Sequence, residues 1–244
     1  MTTDKIYDTR SDDEPFRFND EVAKVFPDML RRSIPGYEAT IEAIGSLAAR
    51  YVRPDTRCYD LGCSLGAATL AMRQGIHQPG CRIVAIDTAS AMIERCKKIM
   101  AEDDRQFGHP TPVDVVEADI RDVPIDNASM VVLNYTLQFL AMDDRDALMR
   151  RICDGMLEGG LLVLSEKVVD ENADMETLLI DLHHEHKRRN RYSALEVARK
   201  RAALENVLIP ETVAAHRKRL ADAGFSHTAV WLRYFNFVSI IAIK

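Results

Sequence analysis

Four short pieces of this sequence, Gly62-Cys63-Ser64-Leu65-Gly66, Asp87, Asp119 and Asn134, succeed one another at spacings that suit the binding of a nucleoside. A glycine at 62 opens main-chain conformations closed to residues with a Cβ and lets a ligand approach the backbone. The amides of a helix that follows can donate to a carboxylate or phosphate. Asp87, twenty-one residues after Gly66, can accept both hydroxyls of a ribose, and Asp119 the exocyclic amine of an adenine. Each feature alone also has a plain structural reading, a tight turn or the end of a strand; together, in order, they favour a nucleoside-bearing ligand. Nicotinamide sites use G-x-G-x-x-G, whose second glycine admits a pyrophosphate against the main chain. Here that place is Ser64, which a ligand with an amino-acid tail tolerates.

Arg201 is the second kind of candidate. Ser193 and Glu196 have the spacing of a capping box, so a helix opens there. At 100° per residue Ala194, Val197, Ala198, Ala202, Leu204 and Leu208 fall on one arc, with Arg201 inside it. A guanidinium among apolar neighbours needs an anion; the alternatives are a head that snorkels to solvent or pairs with Glu205 one turn on. His183, His184, Glu185 and His186 superficially resemble a metal site, but only His183 and His186 share a helix face and no third ligand is evident. A solvated or interface helix and no metal are expected. Lys187, Arg188, Arg189 and Arg191, with Arg199 and Lys200, form the most basic stretch, either an exposed helix end or a surface that steers anions. Cys63 has no histidine near it in sequence, which favours backbone contact over a nucleophilic role.

The elements that must position these residues follow from periodicity. Residues 1–18 are charged and aperiodic and read as a mobile tail. Val22, Val25, Phe26, Met29 and Leu30, then Ile41, Ile44, Leu47 and Ala48, give two helical stripes, a cap over 19–53. Strands are predicted at Arg57–Leu61, Cys81–Ile86, Val113–Glu117, Met130–Leu133 and Leu161–Ser165, alternating with helices at Ala67–Arg73, Ser90–Met100 and Arg145–Met156. Apolar strands alternating with helices imply an α/β, doubly wound parallel sheet covered on both faces. In such sheets ligands sit beyond the carboxyl ends of the strands, where the candidates stand. A helix at Glu211–Ala223 precedes strands at Thr228–Tyr234 and Phe237–Ile243, which lack an intervening helix and should pair antiparallel. The core thus spans 54–165 and 211–244, with 166–210 a helical insertion, one domain in all.

Composition sets the outer limits. At 244 residues, 47% apolar and 29% charged, the chain can bury a sizeable core. Thirty-two basic against 38 acidic side chains leave a net charge of -6, so a surface built to neutralise phosphates is not expected. Five cysteines without paired metal spacing read as reduced thiols, which with a polar, acidic N-terminus and no long apolar run predicts a cytoplasmic chain without membrane contact.

The order of glycine loop, ribose acid, adenine acid, fourth-strand Asn and terminal hairpin resembles the class I S-adenosylmethionine-dependent methyltransferases, a Rossmann-like fold with a seven-stranded sheet, over roughly 55–165 and 210–244. At finer grain, VFPDM (25–29), SIPGY (33–37), YDLGCSLGAATL (59–70), NASMVVLNYTLQFL (127–140), LSEK (164–167) and KRAALENV (200–207) resemble the bacterial carboxy-S-adenosyl-L-methionine synthases, from about Asn19 onward. The resemblance implies that prephenate and S-adenosylmethionine give carboxy-S-adenosylmethionine and phenylpyruvate, without a metal. It implies a homodimer whose product serves a separate enzyme that carboxymethylates wobble uridine in tRNA, with no obligatory tRNA contact by this chain. It implies that Tyr37, Gly62, Cys63 and Ser64 border the cofactor, Asp87 and Thr88 hold the ribose, Asp119 and Ile120 the adenine, that Asn134 lies near the methionine moiety, and that Arg201 reads the new carboxylate. Family members often carry Asn where this chain has Thr88, which loses an amide. A conventional methyltransferase, which offers no reason for Arg201, or a non-catalytic nucleoside-binding partner of a tRNA-modifying enzyme, which would not consume prephenate, are the rival readings at this point.

Overall fold

The computed structural model describes Asp4, Ile6 and residues 16–108, 110–204 and 207–244. Two helices open it, α1 (Asp20–Ser33) and α2 (Tyr37–Tyr51). Asn19 caps α1 by accepting the Val22 N–H at 3.0 Å, and Val22, Val25, Phe26 and Met29 are its buried stripe. There follow β1 (Arg57–Leu61), α3 (Ala67–Gly75), β2 (Arg82–Asp87), α4 (Ser90–Phe107), β3 (Val113–Glu117), β4 (Ala128–Asn134), α5 (Met142–Gly155) and β5 (Met156–Val169). The helices α6 (Ala173–Arg189) and α7 (Ala194–Leu204) fill the insertion, and β6 (Glu211–Thr212), α8 (Val213–Ala223), β7 (His227–Tyr234) and β8 (Phe237–Ile243) complete the chain.

The main strand order is β3-β2-β1-β4-β5-β8-β7, with β1 to β5 parallel, β8 antiparallel to β5 and β7 antiparallel to β8. This is the α/β, doubly wound sheet and the antiparallel hairpin that the sequence predicts. From β1 the chain winds out through β2 to β3, then returns to the other side of β1 for β4. The ends of β1 and β4 therefore flank the point where the winding reverses, and a crevice opens there. The central strands are buried on both faces: β4 is buried from Ala128 to Leu133, and helices cover it on each side. Helices α2 and α3 cross so closely that a Cβ on Gly75 would lie 2.1 Å from the Gly45 carbonyl oxygen, so only glycine permits that cover.

Several boundaries differ from expectation. β5 begins at Met156 and runs to Val169, well past both ends of the predicted strand, because β8 pairs with it from Leu161 to Lys167 and the short β6 continues beside Val168 and Val169. Helix α8 starts at Val213, since Glu211 and Thr212 are taken by that pairing and Thr212 caps the helix. Most of the expected tail lies outside the described residues, but Asp4 and Phe16 are buried. Phe16 donates its N–H to the Ala203 carbonyl at 3.1 Å, so this part of the N-terminal segment is docked on α7 rather than loose.

The buried face of α7 is also a correction. Val197, Lys200 and Ala203 point inward, whereas Ala194, Ala198, Ala202 and Arg201 are exposed. The helix turns this way because the Lys200 ammonium has partners inside: it donates to Ser33 Oγ at 2.8 Å and lies 3.9 Å from Asp4. Asp4 in turn accepts from Tyr192 and receives a helix-borne cation, so three distant segments meet at one buried charge.

Candidate functional site

A cleft of about 1120 Å³ opens at the carboxyl ends of β1, β2, β4 and β5, roofed by α1, α6 and α7. Tyr37, Gly62, Cys63, Ser64, Asp87, Thr88, Asp119, Ile120, Asn134 and Arg201 all line it, so the fold brings every predicted site residue to one cavity. Gly62 has φ +85°, and a Cβ there would sit 2.3 Å from the Thr136 hydroxyl, which leaves glycine as the residue that fits. The Gly62 and Cys63 amides both donate to the Ile86 carbonyl, at 2.8 and 2.9 Å, which locks the loop against the end of β2.

Asp87 completes that lock. One carboxylate oxygen accepts the Ser64 N–H and the other the Ala89 N–H, each at 2.9 Å. Burial nevertheless outweighs these donors and raises its carboxyl above the ordinary value. Asp60, at the base of the cleft, is almost fully buried; desolvation pushes it up to about 6 although the Thr69 hydroxyl donates to it. Asp119 behaves oppositely. Arg121 donates to both its oxygens, at 3.0 and 2.6 Å, reaches on to Asp144, and holds the Asp119 carboxyl below its usual range. The expected acceptor for an adenine amine is therefore already ion-paired, although it lines the cleft. The Cys63 thiol is held far above its normal value, first by a hydrogen bond with Cys96 and then by burial, so it remains a neutral wall rather than a nucleophile.

Asn134 Oδ1 is buried at the end of β4 with no hydrogen-bond partner among the described residues. An orphaned acceptor of this kind costs roughly 1–3 kcal/mol unless a ligand donor fills it, so it fits the ammonium of an amino-acid tail. Part of the cleft wall is aromatic. Phe18 stands edge-on to Phe16, Phe26 and Phe139 at centroid distances of 4.8, 5.9 and 5.5 Å. The turn carrying Phe139 is fixed by buried Glu166, whose two oxygens accept the Leu137 and Gln138 N–H groups at 3.0 and 2.9 Å.

The opposite end of the cleft is cationic, and sequence reasoning missed most of it. Lys167 follows Glu166 at the end of β5, and His183, His184 and Lys187 come from α6. Burial, with Lys200, Lys167 and Arg201 adding repulsion, pulls the Lys187 ammonium down to about 7. Burial also lowers Lys167, with Arg201 contributing and Glu176 opposing. His183, expected on a solvated or interface helix, is buried and bonded through Nε2 to the Ser33 carbonyl at 2.8 Å, and burial keeps its ring neutral. Among the described residues no three side chains converge as a metal site. Arg201 lines the same end and, among the described residues, takes part in no ion pair; Glu205, its alternative partner, lies outside them. One signal for Lys167 was present: it follows closely on the apolar strand predicted at Leu161–Ser165.

The family described as "Methyltransferase domain" matches residues 59–160. The carboxy-S-adenosyl-L-methionine synthase of Aliivibrio fischeri (strain MJ11) is 54% identical over 229 residues, 94% of this chain and 93% of that protein. Those of Vibrio cholerae (strain M66-2) and Klebsiella pneumoniae (strain 342) are 55% and 52% identical, over 94% and 93% of this chain and 92% and 90% of theirs. Among solved structures, human N-acetylserotonin methyltransferase in complex with SAM superimposes with a TM-score of 0.58 at 17% identity, over 92% of this chain and 55% of that one. A SAM-dependent methyltransferase from Leishmania major gives 0.58 at 13%, over 93% and 78%. At such identities the structures share the fold alone.

Proposed function

The chain belongs to the carboxy-S-adenosyl-L-methionine synthase family, a family of enzymes that use S-adenosylmethionine, and from that premise we propose that it takes the new carboxyl group from prephenate and releases phenylpyruvate. The observation that carries this reading is the concentration of cations that form no ion pair among the described residues, Lys167, Lys187 and Arg201, at the end of the cleft away from the glycine loop. A methyl transfer to a neutral acceptor has no use for them, whereas a dicarboxylate donor and a carboxylated product both do.

In this reading Asp87 and Thr88 hold the ribose, Asp119 and Ile120 border the adenine, and Asn134 accepts from the methionine ammonium, with Tyr37, Gly62, Cys63 and Ser64 closing round the tail. The bound sulfonium makes its methyl group acidic enough to yield a carbon nucleophile for carbon dioxide. The chain's own work is placement, exclusion of water by the Phe16, Phe18, Phe26 and Phe139 wall, and positive charge where the carboxylate grows, which Arg201 supplies. Decarboxylation of prephenate expels its ring hydroxyl as the ring becomes aromatic; that leaving group takes the methyl proton and departs as water, so no side chain need act as the base.

The product would pass to a separate enzyme that carboxymethylates wobble uridine in tRNA. A homodimer is supported by Met175 and Leu178, exposed on α6, and a cytoplasmic site by five unbridged, buried cysteines. No helix among the described residues is long and apolar enough to cross a membrane. The test is to incubate the protein with S-adenosylmethionine and prephenate and weigh the nucleoside product: a gain of one carboxyl group supports the reading, and an unchanged nucleoside overturns it.

A further inference from the structure

Five residues at the cationic end form one continuous surface. Lys167 of β5 is the direct cross-strand partner of Phe237 at the start of β8. The Phe237 ring stands edge-on to His183 at 4.8 Å and to Tyr135 at 6.0 Å, and Lys187 follows His183 by one helical turn on α6. Two ammonium groups thus flank an aromatic wall.

Lys187 has no counter-charge acting on it among the described residues, and Lys167 feels Glu176 only as a carboxylate that forms no ion pair with it. Among the described residues no ion pair involves Lys167 or Lys187, and the charges that act on Lys187 are all positive: Lys200, Lys167 and Arg201. Lys200, by contrast, is tied to Ser33 and Asp4 and serves the packing of α7. A lysine buried among like charges is costly, and a fold keeps such a group where a ligand supplies the counter-charge.

We propose that Lys167 and Lys187 form the carboxylate subsite for the carboxyl donor, with Tyr135, His183 and Phe237 as the wall against its six-membered ring. This rests on the reading of prephenate as the donor and adds to it the residues that select a cyclic dicarboxylate. The two lysines hold the donor by its acid groups, while Arg201 is left for the carboxylate being made. Ammonium groups are suited to this task, since the donor must turn over and leave, and a compact point charge holds a carboxylate without the bidentate grip of a guanidinium.

The experiment is steady-state kinetics on the full chain with prephenate varied at saturating S-adenosylmethionine, beside direct titration of S-adenosylmethionine. Lys187→Met and Lys167→Met should each raise the KM for prephenate by about tenfold to a hundredfold, the loss of one charge-assisted contact, and leave the nucleoside Kd within about twofold. Lys187→Arg, which keeps the charge, should recover part of the loss. An unchanged prephenate KM in both methionine variants, or a Kd for S-adenosylmethionine that rises in parallel with it, overturns the subsite while the proposed reaction stands. A wild-type protein that ignores prephenate overturns that reaction and the subsite with it.

Discussion

The two ends of the cleft are built on opposite electrostatic plans. At the glycine-loop end every charge is answered within the chain: Asp87 by two backbone amides, Asp119 by Arg121, and the loop itself by the Ile86 carbonyl. At the insertion end Lys167 and Lys187 are half-buried or buried beside Arg201 with no ion pair among the described residues. The glycine-loop end is thus a largely preformed cradle, with the Asn134 acceptor left open. In the proposed reaction the carboxyl donor would supply the counter-charge that the insertion end lacks.

The sharpest way to break that contrast is at Arg201. Arg201→Leu should cut the yield of carboxylated nucleoside by about a hundredfold or more while S-adenosylmethionine still binds, as mass spectrometry of the product and a binding titration would show. Equal loss of both would mean that the two ends do not work separately. Next comes the glycine end. Gly62→Ala places a Cβ against Thr136 and forces φ +85° on a residue that resists it, so it should cost about 1–3 kcal/mol of stability by denaturant titration and weaken nucleoside binding by roughly tenfold.

The insertion end should show the reverse sign. Lys187→Met removes an unanswered buried charge, so near neutral pH the variant should melt a few degrees higher than the wild type although it works less well. The linkage is that of a cation whose folded value, about 7, lies below its ordinary 10.5. The unfolded chain holds the proton more tightly across that window, so the penalty is full below pH 7 and fades as pH rises towards 10.5. Activity follows the same group. In the wild type the KM for prephenate should climb as pH passes 7 and Lys187 loses its proton. His183 is neutral throughout, and Glu166, which burial raises to about 8, titrates in both proteins. A profile that Lys187→Met does not flatten would assign the pH effect elsewhere. The smallest effect belongs to Thr88, exposed on the cleft wall: Thr88→Asn should tighten nucleoside binding by about twofold to threefold at most, through one added amide contact, read by titration.

The same contrast explains what could be read from the sequence. The glycine loop, Asp87, Asp119 and Asn134 were legible because each stands at the end of a strand, and strand ends are local features. The course of α7 was not. Its inward face is chosen by Lys200, whose partners Ser33 and Asp4 lie far away in the chain, and by Phe16, whose N–H reaches Ala203. Periodicity assigns a lysine outward, so the arc of alanines looked like the buried side and Arg201 looked enclosed. Lys187 was hidden for a like reason, since it reads as part of a basic helix end until α6 is seen packed over the cleft. The early start of β5 at Met156 escaped because Gly159 and Gly160 read as a break, whereas the strand runs through them to meet β4 and β8.

In the proposed reaction the carboxyl carbon passes from prephenate to the bound nucleoside inside a cleft closed to water. The direct measurement uses prephenate labelled with carbon-13 in its ring carboxylate, in a buffer rich in unlabelled bicarbonate. The account predicts a carboxylated nucleoside that retains the label; a product carrying unlabelled carbon from the buffer, or no carboxylated product, would contradict it.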